Sequence, residues 1–543
     1  MHIWGVNEMN SMIFNPNEEF DSTFRTRHFD NTKRHFEDLV QRSGVDVEEN
    51  RKTVKEYKRL KDNFAKLRKK IFWWRVLRVI MCVTVILIPL VVVKVTPIIR
   101  KLREDIECLD KKIAELFELA KQQMAPLNAL FTDKDCLRII EGTIPMISFA
   151  PCFSVEQEAN MIINYDFDDY NSDEQSTLDV LAGSYNENPF LFENKIIHRM
   201  GTEVYHGYLT ITWTETYRDS NNNVRTVRKS ETLHATVTKP KPFYSTQVVL
   251  NYCAQGGPDL SFSRDATHLE TKSDREIERY IKKGEKTLKK MTDKALKKNE
   301  DFQSMSNSGF EVLFDALDRT NELQYRTLFT PLAQTNMVEL IRSKIGYGDD
   351  FNFFKTRKTN RIISEHSQGR VITIPPSTYV SYDFDEIKDS FINSNTDFFK
   401  AVYYDFAPLW AIPMYQERPV HSLQPIPDYA QKYSFKECET LANRVGSEHV
   451  VHPLTKTKAI LKSSFVNSRN GVDEICVSAY SYDILQRVDY VSMYGGDGHW
   501  HDVPVPWDEY IPLTAANNFF VATDEIAAGQ NVIAHHNNLS IFN

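Results

Sequence analysis

The chain has 543 residues, of which 26% are charged, 41% hydrophobic and 12% aromatic. This apolar content can fill sizeable cores and excludes wholesale disorder, while only 19 glycines and 22 prolines exclude a collagen-like chain. The formal net charge of −8 is small for this length, so we expect no specific nucleic-acid partner. A mean hydropathy of −0.43 excludes several membrane spans but permits one.

The first quarter of the chain is basic and contains one long apolar segment. Residues 1–34 show no periodicity, and we predict a flexible leader there. Residues 35–71 are predicted to form a juxtamembrane helix, because apolar side chains recur at helical spacing within them. The apolar segment follows directly, with fifteen consecutive uncharged residues at positions 79–93.

We predict a single transmembrane helix at residues 72–99. The uncharged run is shorter than the roughly 20 residues that a spanning helix needs. However, Arg78 and Lys94 lie at its margins, where long side chains reach the headgroups, and Trp73 and Trp74 suit the membrane interface. These four residues are the candidate membrane anchor, and the lipid bilayer is the expected partner. A buried core helix is disfavoured, because basic residues crowd both flanks.

The flanking charges also predict a direction for the span. Residues 51–78 contain twelve Lys or Arg and residues 94–112 contain six, which favours a cytoplasmic N-terminus. The seven cysteines form no CxxC pair and no dense framework, so the side of the C-terminal part stays open. A hairpin turning at Pro89 is the alternative topology. We disfavour it, because fifteen apolar residues are too few for two passes.

A heptad repeat follows the apolar segment at residues 100–126. Apolar residues recur there at alternating spacings of four and three, which is the a/d pattern of a coiled coil. This seam comprises Leu102, Ile106, Leu109, Ile113 and Leu116. It predicts either self-association or protein binding through a stalk, or packing against the chain's own C-terminal domain.

The remainder of the chain reads as a mixture of strands and helices. In the β-rich region 133–270, Leu209, Ile211 and Trp213 alternate with threonines, so we predict a strand with an apolar face and a hydroxyl face. Residues 219–223 should form its turn and 224–237 the return strand. Residues 273–300 form a predicted helix with eight lysines between positions 282 and 298. We expect a solvated face there rather than an anionic-lipid or nucleic-acid contact.

The last region, 301–543, is predicted to be a mixed α+β domain. A capping-box pattern at Ser434 and Glu437 should open a helix. Strands are expected at residues 475–482, 487–494 and 499–505, with the glycine-rich turn 495–498 before the last of them.

The candidate metal ligands lie beside that turn. Alternate residues of a strand project to one face, so His499 and His501 could share an ion together with Asp497. The two histidines alone do not make a site, so a further ligand from elsewhere, such as His449 or His452, would be needed; the alternative is an exposed hairpin without metal. The chain has no GxxxxGK[ST], GxGxxG, HExxH or GxSxG motif, so we expect no cofactor, and an enzyme is the less expected class.

Together these patterns predict an α+β protein with a single transmembrane helix flanked by amphipathic and coiled-coil helices, followed by a large portion containing antiparallel sheet. The expected function is that of a single-pass, membrane-anchored interaction or assembly protein. The alternative is a membrane-bound hydrolase, metal-assisted through the hairpin of His499 and His501.

Overall fold

The computed structural model describes residues 12–83, 91–168, 171–218, 223–298, 302–419, 424–429, 431–469 and 472–522. Its α-helices are α1 (Pro16–Glu19), α2 (Arg25–Ser43), α3 (Val47–Val83), α4 (Thr96–Asn128), α5 (Asp135–Thr143), α6 (Val155–Tyr165), α7 (Asp274–Lys298), α8 (Ser308–Phe314), α9 (Glu322–Leu328), α10 (Pro331–Arg342), α11 (Phe384–Trp410) and α12 (Phe435–Val445). Its strands are β1 (Ile147–Phe149), β2 (Gln175–Tyr185), β3 (Asn188–Arg218), β4 (Val224–Cys253), β5 (Ser261–Arg264), β6 (Phe351–Thr356), β7 (Thr359–Ser364), β8 (Ile460–Arg469), β9 (Val472–Tyr494) and β10 (Trp500–Ala522).

The chain divides into two compact units. One is helical and comprises residues 18–145 and 373–404, and the other contains the sheets and comprises 12–17, 146–372 and 405–522 of the described chain. The predicted α+β class is therefore correct. The predicted turn at residues 219–223 falls almost entirely outside the described residues.

In the helical unit, α3 and α4 form an antiparallel hairpin. Asn50 near the start of α3 donates to the carbonyl of Ala120 near the end of α4, and the rings of Tyr57 and Phe117 are 5.8 Å apart. Towards the other end of the hairpin, Ile71 of α3 packs with Ile99 of α4. The pairing order 50 with 120, 57 with 117 and 71 with 99 fixes the antiparallel direction.

This hairpin overturns the predicted transmembrane helix at residues 72–99. In one continuous helix, Ile71 and Ile99 would be about 40 Å apart at 1.5 Å per residue. They instead belong to one apolar cluster, in which two separate antiparallel helices, α3 and α4, pack against each other. Within the described residues, no helix is both long enough and apolar enough to cross a membrane. The predictions of a single-pass membrane protein and of membrane anchoring by a spanning helix were wrong, including the version with a cytoplasmic N-terminus.

A buried asparagine fixes the base of the hairpin. The Asn50 amide donates to the Ala120 and Tyr382 carbonyls, while its oxygen accepts from the Phe384 amide at 3.1 Å. Lys58 forms a 2.6 Å ion pair with Asp383 nearby. Because a buried amide must satisfy its hydrogen bonds, Asn50 specifies one arrangement of α3, α4 and the start of α11.

The sheet-containing unit is built on a seven-stranded antiparallel sheet in the order β1-β2-β3-β4-β7-β6-β5. Buried aromatic residues of the unit include Tyr185, Tyr252 and Trp410, and the Tyr185 ring is 5.4 Å from that of Trp410. A second sheet has the order β10-β9-β8. The two strands predicted at residues 475–482 and 487–494 form one strand, β9, because no glycine or proline interrupts the residues between them.

Helix α12 joins the two sheets through buried charge. Ser434 caps this helix as predicted, accepting a hydrogen bond from the Glu437 amide at 3.1 Å. Glu193 of β3 is 3.0 Å from Lys195 and 3.6 Å from Lys436 of α12. Burial alone would raise the pKa of Glu193, but these lysines outweigh it and lower the pKa to about 2. The carboxylate is therefore charged and holds the helix against the sheet.

Candidate interaction surface

Two long β-hairpins extend beyond the sheets that hold their ends. Strand β3 pairs with β2 only through Ile197, and β4 pairs with β7 only from Leu250. Over residues 199–218 and 224–243, β3 and β4 pair with each other alone among the described strands; we call this stretch ribbon one. Strand β9 likewise leaves β8 after Tyr480, so residues 481–494 and 500–513 form ribbon two. Together they form the arm.

The inner faces of the two ribbons pack against each other. Ile211, Leu233 and Ala235 of ribbon one form a buried cluster with Val503 and Val505 of ribbon two. The alternation of β3 places these apolar side chains inward and leaves the intervening threonines exposed. An isolated two-stranded hairpin is marginally stable in water, so each ribbon depends on the other for its apolar contacts.

The backbones of the two ribbons approach closely at Gly207. A Cβ atom at this position would overlap the carbonyl oxygen of Pro504 and lie 2.8 Å from a methyl group of Val505. Both neighbours belong to β10, and one of them is backbone that cannot rotate away. Glycine at this position therefore permits the close approach of the two backbones.

Polar contacts at the edges of the crossing fix the register of the ribbons. Lys239 of ribbon one forms a 2.5 Å ion pair with Asp489 of ribbon two and lies 4.2 Å from the ring centroid of Trp507. The indole N–H of Trp507 donates to the same carboxylate at 2.9 Å. The hydrogen bonds from Lys239 and Trp507 lower the pKa of Asp489. At the turn of ribbon two, the Gly496 amide donates to Glu231 at 2.7 Å.

The outer face of ribbon two is exposed, apolar and aromatic. Cross-strand register places Tyr490 opposite Pro504 and Tyr494 opposite Trp500, with Val488 and Pro506 as the next pair. Tyr490 and Trp500 are 69% and 70% exposed, the highest values among the aromatic residues of the arm. We call these six residues, namely Val488, Tyr490, Tyr494, Trp500, Pro504 and Pro506, the aromatic face.

Prolines make the free edge of β10 unsuitable for adding another strand. Pro504, Pro506 and Pro512 lack the N–H that a neighbouring strand would accept. Such residues protect edge strands from pairing with another chain. This edge of ribbon two is therefore protected against strand addition, while the apolar face beside it stays exposed.

The outer face of ribbon one has a different chemistry. Thr210, Thr212, Thr214 and Thr216 are all exposed on it, and Thr210 is hydrogen bonded to Thr232 at 3.0 Å. Closer to the sheet, ring nitrogens of His206 and His234 lie 2.9 Å apart. This face is hydroxyl-rich, whereas the aromatic face is apolar.

The predicted metal ligands lie at the turn of ribbon two. Nε2 of His501 is 3.0 and 2.9 Å from the two carboxylate oxygens of Asp497, and the His499 amide donates to Asp497 at 3.1 Å. The hydrogen bond from His501 lowers the pKa of Asp497, while the His499 side chain is exposed. Among the side chains that the structure describes, no group of three or more His, Cys, Asp or Glu could hold a metal ion. The role of these residues stays a prediction.

The residues predicted to anchor the chain and to form the heptad seam lie on the α3–α4 hairpin. Trp73, Arg78 and Lys94 are exposed, and Trp74 packs against the hairpin's apolar cluster. Leu102 and Ile106 of the seam belong to that same cluster, and the rest of the seam (Leu109, Ile113 and Leu116) is half-buried. Leu102 and Ile106 are therefore in contact with the preceding helix of their own chain.

One buried cluster combines serine, histidine and aspartate but presents no nucleophile. Nδ1 of His366 is 2.5 Å from Asp350, and the Ser367 hydroxyl donates to both oxygens of Asp405 at 2.8 Å. Arg370 also pairs with Asp405, at 2.6 Å. Ser367 is 1% exposed, and its hydroxyl is directed to a carboxylate rather than to a histidine. This network is a structural connection within the core.

No protein-family model matches the sequence, and neither the curated proteins nor the solved structures contain a significant match. Function is therefore inferred from the geometry of this chain alone. Sequence reasoning missed the aromatic face and Gly207. The alternation of Val488, Tyr490 and Tyr494 along β9 was a usable signal for the face, but it does not show which side of the strand is covered.

Proposed function

We propose that this protein is a non-catalytic assembly protein that binds a second copy of the same chain through the aromatic face of the arm. The observation that carries the proposal is the exposure of this apolar face on a ribbon whose opposite side is already buried. Exposed contiguous apolar patches of this kind are characteristic of protein interfaces.

The charge of the face favours a second copy as the partner. Among the residues that project from this side at positions 488–494 and 500–506, Asp502 is the only Asp, Glu, Lys or Arg, and its carboxylate accepts a hydrogen bond from Ser492 at 2.5 Å. A two-fold contact would therefore place apolar side chains against apolar side chains with little like-charge repulsion. Such a contact uses the same patch on both copies.

The size of the face sets the expected strength. Large aromatic side chains bury about 150–250 Å² when fully covered. Three aromatic, one valine and two proline side chains that are already partly covered would hide roughly 500 Å² on each copy, or about 1,000 Å² in total. That area lies at the weak end of specific interfaces. We therefore expect a reversible dimer with a dissociation constant in the micromolar range.

The oligomeric state of the full chain tests this proposal. Sedimentation velocity over a wide range of protein concentration should show a monomer that converts to a dimer. The double variant Tyr490→Ser and Trp500→Ser should remain monomeric at the highest concentration. Tyr208→Ser is the matched control, because this tyrosine is also exposed on the arm but lies on the hydroxyl-rich side of ribbon one. A wild-type chain that stays monomeric, or a double variant that dimerises normally, would refute the proposal.

A further inference from the structure

The part of the α3–α4 hairpin farthest from Asn50 exposes a second set of apolar side chains. Phe72, Trp73, Val79 and Ile80 of α3 are exposed, and so is Val93 just before α4. Trp73 is 67% and Val93 71% exposed. We call this set the hairpin end.

These side chains are not needed to join the two helices. The interface between α3 and α4 is filled by a separate cluster, comprising Ile71, Val95, Ile99 and Leu102 with Leu67, Trp74, Met81 and Ile106 beside them. This part of α3 is thus apolar on the side that faces α4 and also on much of its outer side. A helix that is apolar nearly all round needs an apolar environment on more than one side.

The charges around the hairpin end are all positive. In the described residues 66–83 and 91–103 there are ten Lys or Arg and no Asp or Glu. Every one of these basic side chains is exposed: Lys66, Arg68, Lys69, Lys70, Arg75, Arg78, Lys94, Arg100, Lys101 and Arg103. Glu104 pairs with Arg100 at 3.2 Å but lies beyond this stretch. The surface is therefore both apolar and strongly basic.

We infer that the hairpin end binds the surface of an anionic lipid bilayer, with its apolar side chains at the acyl-chain boundary and its basic side chains among the headgroups. A second copy of the chain would be repelled by the same positive charge. A single acidic helix of another protein would cover only one side of the exposed apolar surface. A lipid surface satisfies both properties, because Trp, Phe and aliphatic side chains enter its interface while Lys and Arg contact anionic headgroups.

This contact is a reversible surface binding and involves no helix that crosses the bilayer. It is independent of the proposed dimer, since the hairpin end and the aromatic face belong to different units of the chain. Loss of one property should therefore leave the other unchanged.

Vesicle co-sedimentation of the full chain tests the inference. Wild type should bind vesicles of phosphatidylcholine with 30% phosphatidylserine and bind pure phosphatidylcholine at least tenfold more weakly. The double variant Trp73→Ser and Ile80→Ser should lower binding to the mixed vesicles at least tenfold, as should Lys69→Glu with Lys70→Glu. Tyr208→Ser is the matched control, because it removes an exposed aromatic side chain from the arm outside the aromatic face and should bind like wild type. Absence of binding to the mixed vesicles would overturn the inference.

Two further measurements separate the bilayer from other anionic partners and fix the depth. Soluble polyglutamate should not measurably displace the protein from the mixed vesicles at 0.15 M salt. If polyglutamate displaces the protein and the Trp73 variant binds vesicles normally, the hairpin end binds acidic polymers and the inference fails. Fluorescence of Trp73, isolated as the difference between wild type and a Trp73→Phe variant, should be quenched more by bromine near the headgroups than by bromine near the bilayer centre. Stronger quenching from the centre would overturn the surface location.

Discussion

Gly207, where the two ribbons cross, provides the sharpest test of the arm's architecture. Gly207→Ala adds one methyl group at a site where its Cβ would overlap the Pro504 carbonyl and lie 2.8 Å from Val505. Ordinary contacts at a Cβ are 3.4–4 Å, so the ribbons would have to separate by roughly 1 Å. The substitution asks whether the arm is held by this crossing or only by the pairing within each ribbon.

The expected cost follows from two opposing terms. Overpacking a close contact costs about 1–3 kcal/mol. Replacing glycine with alanine in an extended strand recovers about 0.5–1 kcal/mol of conformational entropy. The arm should therefore be destabilised by about 1–2 kcal/mol, while the sheets at its base are unaffected.

Hydrogen exchange measured by mass spectrometry gives the local readout. Peptides covering residues 205–213, 231–237 and 501–505 should exchange several-fold faster in Gly207→Ala, because loosening the crossing exposes the backbone of both ribbons. Gly142→Ala, in α5, is the matched control, since its Cβ would lie 3.7 Å from the Asn31 side chain of α2, which is an ordinary van der Waals contact. That change should be neutral or stabilising, as alanine favours a helix. Unchanged or slower exchange in the arm of Gly207→Ala would refute the reasoning about the crossing.

Three further predictions concern titration and accessibility. Burial lowers the pKa of His28 to about 3, so below pH 6.5 the unfolded chain takes up a proton while the folded chain does not. The free energy of unfolding should therefore fall by about 1.4 kcal/mol per pH unit below 6.5. In urea unfolding this dependence on pH should be weaker in His28→Gln than in wild type, and equal dependence in the two would contradict the assignment. Glu193 has a pKa of about 2 despite burial, so its contribution to the free energy of unfolding should be present above pH 4.5 and lost towards pH 2. Glu193→Gln should lower the free energy of unfolding in urea by about 3–5 kcal/mol at pH 7, because Lys436 is left buried beside a neutral group. A loss under 1 kcal/mol would count against this role. Cys108 is exposed, whereas Cys136 and Cys253 are buried, and burial raises the pKa of both thiols to about 12. After brief iodoacetamide treatment at pH 7.5, peptide mapping should find Cys108 labelled. Cys136 and Cys253 should stay unlabelled until denaturant is added.

Local patterns were informative wherever neighbours in sequence decide the structure. The alternation through Leu209 and Ile211 correctly predicted a strand with one buried side, and Ser434 correctly marked the start of α12. The hairpin turn at residues 495–498 also forms, with Gly498 in the left-handed region at φ 82°. In each case the determining contacts lie within a few residues of one another.

Hydropathy misled at residues 72–99 because it counts apolar side chains along the chain and carries no information about reversal. The pattern of one spanning helix and the pattern of two packed helices differ only in where the backbone turns. Ile71 packing with Ile99 decides between them, and that contact is not visible in a running average. The aromatic face was missed for a related reason, since Val503 is covered by Ile211 from a segment nearly 300 residues earlier.

The arm shows how a strand pattern can leave an apolar face exposed for the proposed assembly without a separate binding domain. Alternation gives every strand two sides, and in a two-layered arm only one side of each ribbon can be buried against the other. Ile211 and Val503 lie on the inner sides of the two ribbons and pack against each other. Tyr490 and Trp500 therefore lie on an outer side that no described strand covers. Prolines block strand addition at the edge of β10, while the face stays available. Gly207→Ala, which loosens the crossing, should therefore weaken the proposed dimer indirectly by making the aromatic face mobile. The double variant Tyr490→Ser and Trp500→Ser should instead abolish the dimer and leave hydrogen exchange at the crossing unchanged.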